Sequence, residues 1–246
     1  MNIKGKVVLI TGASTGIGRA TAIAFAKRGA SVLINYKSGS KNAKEVLKEC
    51  NKYSTNNNLF QADISQEYQV KRMFENIKST YKSLDILINN AAIFDEEDTP
   101  KNLEVFNNIY KTNFFGPFTV TKYALSVMNK GKIVNVSSVH GRVGYGRPEI
   151  VAYSAFKAAL NSYTKNLAKY LAPNILVNAV APGRVATPMW GDLSEEEKKE
   201  LGTAHAIKRM IEPNEVAHSI LFLVENDAMC GEILTIDGGY TLLNLN

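Results

Sequence analysis

Cysteine, tryptophan and histidine are scarce here: two, one and three among 246 residues. Cys50 and Cys230 stand far apart with no ligand-like spacing, which argues against a disulfide framework or a cysteine metal site and fits a reducing, cytoplasmic setting. No His, Cys, Asp and Glu residues fall at metal-ligand spacing, so no metal is expected. Long apolar runs are missing, and with them a membrane span. The opening residues, MNIKGKVVLITG, lead into a strand pattern at once rather than into a charged and then apolar targeting segment. Dense basic runs are missing too. The net charge is +6 and the pI about 9.1, yet Lys and Arg are scattered from Lys4 to Arg209, unlike the basic stripe of a nucleic-acid binder. Linkers rich in proline or glycine, internal repeats and low-complexity tracts are also lacking, which leaves one domain over residues 1–246 as the expectation.

What is present is a globular composition, 45% hydrophobic and 21% charged. β-rich runs at 7–10, 31–35, 59–62, 84–89, 132–137, 176–180 and 233–236 alternate with helical patterns at 16–28, 41–52, 66–81, 101–128, 153–171 and 213–225. Several strands are apolar on both faces, as strands of a parallel sheet covered by helices must be. The order predicts an α/β fold: a single Rossmann-type, doubly wound parallel sheet of about seven strands. Residues 184–210 depart from the alternation and are expected to form a helical excursion over the sheet's carboxyl edge, a lid on a substrate.

The first strand runs into TGASTGIG, residues 11–18, and then a helix. Gly12, Gly16 and Gly18 allow a tight turn and close approach to a pyrophosphate, which the N–H groups and positive end of the helix would receive. At the end of the second strand, a carboxylate would take the ribose 2′-hydroxyl of NAD. The chain has Asn35, Tyr36, Lys37 and Ser38 instead. That favours NADP(H), with Asn35, Lys37 and Ser38 at the 2′-phosphate; NAD stays open.

Of 11 tyrosines, only Tyr153 has a lysine four residues on, Lys157, so the pair projects from one helical face. A phenol titrates at roughly pH 10, and a nearby ammonium lowers that value until the group can exchange protons with a substrate oxygen near neutrality. The strand KIVNVSS brings Ser137 and Ser138 to the same carboxyl edge, where a hydroxyl can hold a carbonyl oxygen as charge grows on it.

Taken together, these residues resemble the short-chain dehydrogenase/reductase superfamily nearly end to end, with likeness to 3-oxoacyl reductases and glucose dehydrogenases. The family's T-G-x-x-x-G-x-G loop matches residues 11–18, and its adenine-contacting Asp matches Asp63. Its N-N-A-G element appears as Asn89, Asn90, Ala91 and Ala92, with Ala in the last place. Its helix asparagine matches Asn113, its serine Ser138 and its Y-x-x-x-K pair Tyr153 and Lys157. The P-G turn is Pro182 and Gly183, followed by Thr187, and IDGGY closes the pattern. The resemblance implies Tyr153 as acid/base, Lys157 on the nicotinamide ribose, Ser138 on the carbonyl and Asn113 supporting a proton-relaying water chain. It also implies cofactor contacts from Ser14, Thr15, Ile17, Ile64, Asn90, Ala91, Val185 and Thr187, and a homotetramer or homodimer built on two long helices. Two features depart from the pattern. The interval from Ser138 to Tyr153 is longer than usual, so either Ser137 or Ser138 faces inward. Thr15 stands where NADP-preferring members often carry Arg.

The expected activity is hydride transfer between NADP(H) and a carbonyl or secondary alcohol of a small molecule. Ile93, Phe94, Val139, His140, Tyr145, Met189 and Trp190 suggest an apolar, aromatic-lined pocket. Arg142, Arg147 and Arg184 are available to an anionic substrate. Two rivals remain within the fold, an NADP-binding regulator without turnover and an NAD-dependent sugar or polyol dehydrogenase. A methyltransferase is disfavoured by Asn35 and by the tyrosine–lysine pair.

Overall fold

A computed structural model describes residues 1–142 and 147–243. Seven parallel strands form one sheet, β1 (Val7–Ile10), β2 (Ser31–Tyr36), β3 (Asn58–Gln61), β4 (Ile86–Asn89), β5 (Gly131–Val136), β6 (Ile175–Pro182) and β7 (Ile233–Ile236). Their spatial order is β3-β2-β1-β4-β5-β6-β7. The order reverses between β1 and β4, and a crevice opens there at the carboxyl ends of the strands. Alternation along each strand explains the double coating. Val8, Ile10, Val32, Ile34, Ile86 and Ile88 face one apolar layer, while Leu9, Leu33 and Leu87 face the other.

The first layer is closed by α1 (Gly16–Lys27), α2 (Ser40–Cys50) and α8 (Pro213–Glu225), the second by α3 (Glu67–Thr80), α5 (Gly116–Ala124) and α6 (Val151–Leu171). On α1, Ala22, Phe25 and Ala26 sit at helical spacing on the buried face, and burying the Phe25 side chain contributes roughly 2–3 kcal/mol. Pro213 opens α8 in its first turn, as its sequence position predicts. Cys50 and Cys230 are both free; burial pushes the Cys50 thiol up to about 12, so it is inert. No helix among the described residues is long and apolar enough to cross a membrane.

Two segments differ from their sequence pattern. The single helix expected over 101–128 is α4 (Leu103–Tyr110), a π turn (Lys111–Phe115) and α5, ending at Ala124. Pro117 has no N–H to donate back along the helix, and a π turn just before it absorbs the broken ladder. The excursion over 184–210 is mostly irregular, with a 3-10 turn (Pro188–Trp190) and α7 (Glu195–Gly202), which is closed by a Ser194–Glu197 capping box. A parallel bridge between Val185 and Ile211 ties its two ends together at the base. A short α9 (Tyr240–Leu243) follows β7.

Candidate active site

A cavity of about 700 Å³ opens at the carboxyl ends of the central strands, between the glycine-rich loop and the excursion. Gly12 lies at φ +62 and packs so close to Ala91 that a Cβ would meet its Cα at 2.8 Å. Gly18 is tighter still: a Cβ there would sit 2.4 Å from the Gly12 carbonyl oxygen. Thr11 fixes the neighbouring strand end, its Oγ1 accepting the N–H groups of Asn90 at 2.9 Å and Ala91 at 3.1 Å. The amide of Asn90 donates to the carbonyls of Thr11 and Gly12. Helix α1 begins with no side-chain cap from Thr15 and no acid in its first turn. An anion is the complement such a helix end attracts. Ser14, Thr15, Gly16 and Ile17 line the cavity beside it.

Asn35, expected at a ribose phosphate, lines the cavity, with its amide bonded inward. It is 1% exposed, donates to the carbonyls of Phe60 and Ala62, and accepts the Gly12 N–H. Its amide is thereby committed to bracing the glycine loop against β3. Tyr36 is buried and does not line the cavity. Lys37 and Ser38 do, and the Lys37 ammonium sits 2.9 Å from Asp63. Burial pushes the Asp63 carboxyl upward, but Lys37 and Ser65 outweigh it and hold the group below the usual carboxylate range. Ile64, Pro182, Gly183, Val185 and Thr187 complete the expected nucleotide wall. Thr187 crosses directly over the loop, its methyl 3.1 Å from where a Gly16 Cβ would stand.

At the other end, Tyr153 and Lys157 share one face of α6, with the Lys157 Nζ 5.6 Å from the Tyr153 ring centroid. The question of which serine faces inward is resolved by their bonds. The Ser137 hydroxyl donates to the Lys157 carbonyl, whereas Ser138 lines the cavity beside the Tyr153 phenol and its Oγ accepts the His140 N–H. Lys157 is 2% exposed and donates to the Val136 carbonyl at 2.8 Å. Asn113, in the π turn, lies outside the cavity wall and braces it. Its amide both accepts from and donates to the backbone of Ile93 at 2.8 Å.

The electrostatics depart from the simple expectation of a lowered phenol. Burial raises the Tyr153 pKa above its ordinary value, and the nearby Ser138 hydroxyl only opposes that rise. Burial also lowers Lys157 from 10.5 to about 8. Between those two pH values the unfolded chain keeps a proton that the folded chain has lost. Lys157 therefore makes unfolding free energy rise with pH across that window, by up to about 3 kcal/mol. Tyr153 acts in the opposite sense only above its unfolded value, near pH 10. Denaturant titrations across the window should show the rise in the wild type and not in Lys157→Met; parallel curves for the two proteins would contradict it.

The end of the cavity expected to take a substrate carries an aromatic patch, with Glu96, His140, Arg147, Glu149 and Arg184 also in its lining. Phe94 meets Tyr153 edge-on at 6.1 Å and Trp190 at 6.5 Å between ring centroids. The Trp190 indole N–H is spent on the Val185 carbonyl at 3.0 Å. Ile93, Met189 and His140 line the cavity; Val139 is buried behind it. Tyr145 lies outside the described residues. Of the three arginines, Arg142 turns away to the Thr235 hydroxyl. Arg147 stands at the rim near Glu149, and Arg184 packs over the Tyr240 ring with a hydrogen bond to the Leu201 carbonyl. They do not converge on one point as an anion clamp.

With that geometry in place, the likenesses to known proteins are consistent with one another. A family model described as Enoyl-(Acyl carrier protein) reductase matches residues 12–241. The 3-oxoacyl-[acyl-carrier-protein] reductase FabG of Aquifex aeolicus is 40% identical over 248 residues, covering 97% of this chain and 98% of the relative. A short-chain dehydrogenase/reductase of Serratia marcescens superposes with a TM-score of 0.90 at 29% identity, over 98% of this chain and all of that one. The promiscuous reductase LugOII, described as catalysing keto-reduction at C1 during lugdunomycin biosynthesis, has a TM-score of 0.89 at 32% identity, covering 98% and 99% of the two chains.

Proposed function

Since this chain belongs to the short-chain dehydrogenase/reductase family, and is therefore a nicotinamide-dependent oxidoreductase of carbonyl and alcohol groups, we propose that it is an NADPH-dependent reductase of ketones with apolar or aryl substituents. The observation that carries this reading is the convergence of Ser138, Tyr153 and Lys157 on one end of a cavity whose other end is a glycine loop and an open helix terminus. The uncapped α1 terminus, the close glycines and Lys37 fit a phosphorylated dinucleotide. Bound there, the reduced nicotinamide supplies the hydride.

The chain's own groups do the rest. Ser138 donates to the carbonyl oxygen of the substrate and fixes it against the Tyr153 hydroxyl. Tyr153 gives its proton to that oxygen as the alkoxide forms, and is reprotonated from the Lys157 side. Lys157, pinned by Val136, offers its remaining protons to a ribose and lowers the cost of a phenolate. Asn113 holds Ile93, and through it the wall behind the reacting carbon. The segment from Arg184 to Met210, tied at Val185 and Ile211, serves as the lid that excludes water.

The preference for apolar ketones over polyols is supported by Phe94 and Trp190. A polyol needs several donors and acceptors, and the indole N–H is already committed to Val185. Trp190→Ala should raise KM for an aryl ketone about 5–10-fold while kcat changes little, as expected for a lost aromatic contact. An unchanged KM in steady-state assays would remove Trp190 from the substrate wall. Lys37 is the one cation we assign to a 2′-phosphate. Lys37→Ala should weaken NADPH by about tenfold and leave NADH nearly unchanged, a difference of one charged contact. Equal losses in a fluorescence titration would assign Lys37 to Asp63 alone and favour the NAD-dependent sugar or polyol reading.

We place the enzyme in the cytoplasm, where its two unpaired cysteines stay reduced. Assembly into a homotetramer or homodimer is supported by Phe106, Tyr110 and Phe118, exposed on α4 and α5. A panel of ketones, aldehydes, sugars and 3-oxoacyl thioesters, assayed with each nicotinamide by absorbance, tests the activity. Turnover of NADPH by aryl ketones is expected, and turnover of sugars with NAD alone would overturn the proposal.

A further inference from the structure

Helix α6 carries Tyr153 and Lys157, yet its own N-cap residue makes no side-chain cap. Ile150 occupies the N-cap and has no side chain able to accept a hydrogen bond. The first turn nonetheless finds its partner 54 residues away. Asp98, in the loop between β4 and α4, accepts the N–H of Ala152 on Oδ1 and that of Tyr153 on Oδ2, both at 2.8 Å. Asp98 is 1% exposed, so the carboxylate is sealed against that turn rather than solvated. Its neighbours Glu96, Glu97, Thr99 and Pro100 are all exposed. Within this acidic stretch only Asp98 is buried.

The two bonds reach the reacting group through a single peptide, since one of them is made by the backbone N–H of Tyr153 itself. The same loop begins at Ile93, which Asn113 grips from both sides, and continues through Phe94, whose ring stands edge-on to Tyr153. The loop is therefore anchored at Ile93 to the π turn and at Asp98 to the first turn of α6. Between those anchors lies the substrate wall. Ile93, Ala152, Tyr153 and Phe156 pack with Val105 and Ile109 in one small cluster beneath it. A carboxylate here does two things at once. It satisfies two donors that the helix start would otherwise leave buried and unpaired, and it sets the distance between the phenol and the face on which a ketone lies.

We propose that Asp98 is a positioning residue for the reduction: by holding the N–H groups of Ala152 and Tyr153, it fixes the phenol against the Phe94 wall. The inference rests on Tyr153 acting as the proton donor, and the test separates the two claims. In Asp98→Ala, hydrogen exchange at the Ala152 and Tyr153 amides should accelerate about 10–100-fold, because opening that turn no longer breaks two charge-assisted bonds. The kcat for an aryl ketone should fall about 10–100-fold, the scale expected when a catalytic group is displaced by about 1 Å. NADPH affinity, set at the far end of the cavity, should change less than about twofold.

Asp98→Asn keeps the shape and one acceptor, but turns its NH₂ toward the second N–H. It should fall between wild type and alanine, and it carries the test if the alanine variant does not fold. Asn102→Ala removes the ordinary cap of α4, a bond to the Val105 N–H, and serves as a stability control that should keep kcat. Faster exchange with kcat within twofold of wild type in the Asp98 variants would reduce Asp98 to a structural cap. Equal kcat losses in Asn102→Ala would trace the effect to general destabilisation. Full activity in Tyr153→Phe, measured alongside, would remove the proton donor itself. An inactive Tyr153→Phe with a fully active Asp98→Ala would sink this inference alone.

Discussion

Tyr153→Phe should lower kcat by about 10²–10⁴-fold, the usual worth of a positioned general acid, and leave NADPH affinity unchanged. Among the described residues, the phenol is the proton source that meets both requirements of the site. It shares the cavity wall with Ser138, to which we assign the carbonyl oxygen, and it lies beside Lys157 on the same helix face. Phenylalanine keeps the ring and its edge-on contact with Phe94 and loses only the hydroxyl. Packing should survive, and a thermal melt should shift little. The phenol's raised pKa means that it holds its proton at neutral pH, the state a reduction needs. Retention of more than a tenth of wild-type kcat would show that another group delivers the proton.

Gly18→Ala is expected to have the second-largest effect, on binding rather than on chemistry. An added Cβ would lie 2.4 Å from the Gly12 carbonyl oxygen, 2.5 Å from the Asn90 amide nitrogen and 2.9 Å from the Ala13 Cα. Two of those atoms are backbone, and the third is held by bonds to Thr11 and Gly12. No flexible side-chain tip is available to move aside, so the loop itself must shift. Overpacking of this kind costs about 1–3 kcal/mol. It should weaken NADPH binding by at least about tenfold, because the loop and the α1 terminus act as one surface toward the phosphates. Calorimetric titration checks the affinity and a melting curve the stability. Unaltered affinity would mean that the pyrophosphate lies elsewhere.

The parts of this account that a sequence can carry are those written in local periodicity. Strands β1 and β7 and helix α8 fall where short apolar runs and Pro213 place them. The Tyr153–Lys157 spacing puts both groups on one helix face without any tertiary knowledge. What was illegible depends on distant partners. Asn35 looks like a phosphate ligand because its strand end faces the cavity, but three groups from the glycine loop and β3 claim its amide. Asp98 hides in the run Asp95, Glu96, Glu97, Asp98, where four acids in a row suggest solvent; only the return of α6 across the loop singles one out. The choice between Ser137 and Ser138 depends likewise on where the Lys157 carbonyl ends up. The raised phenol is a matter of burial, which spacing along a helix does not report.

The central claim is that hydride passes to a ketone carbon while Tyr153 protonates the oxygen. NADPH deuterated at the reactive nicotinamide carbon, incubated with the enzyme and an aryl ketone, tests it through the isotopic content of the product alcohol. Deuterium is expected at the carbinol carbon with wild-type enzyme and almost none over the same interval with Tyr153→Phe. Tight NADPH binding with no label leaving the cofactor for any ketone offered would contradict it and leave a dinucleotide-binding protein without turnover.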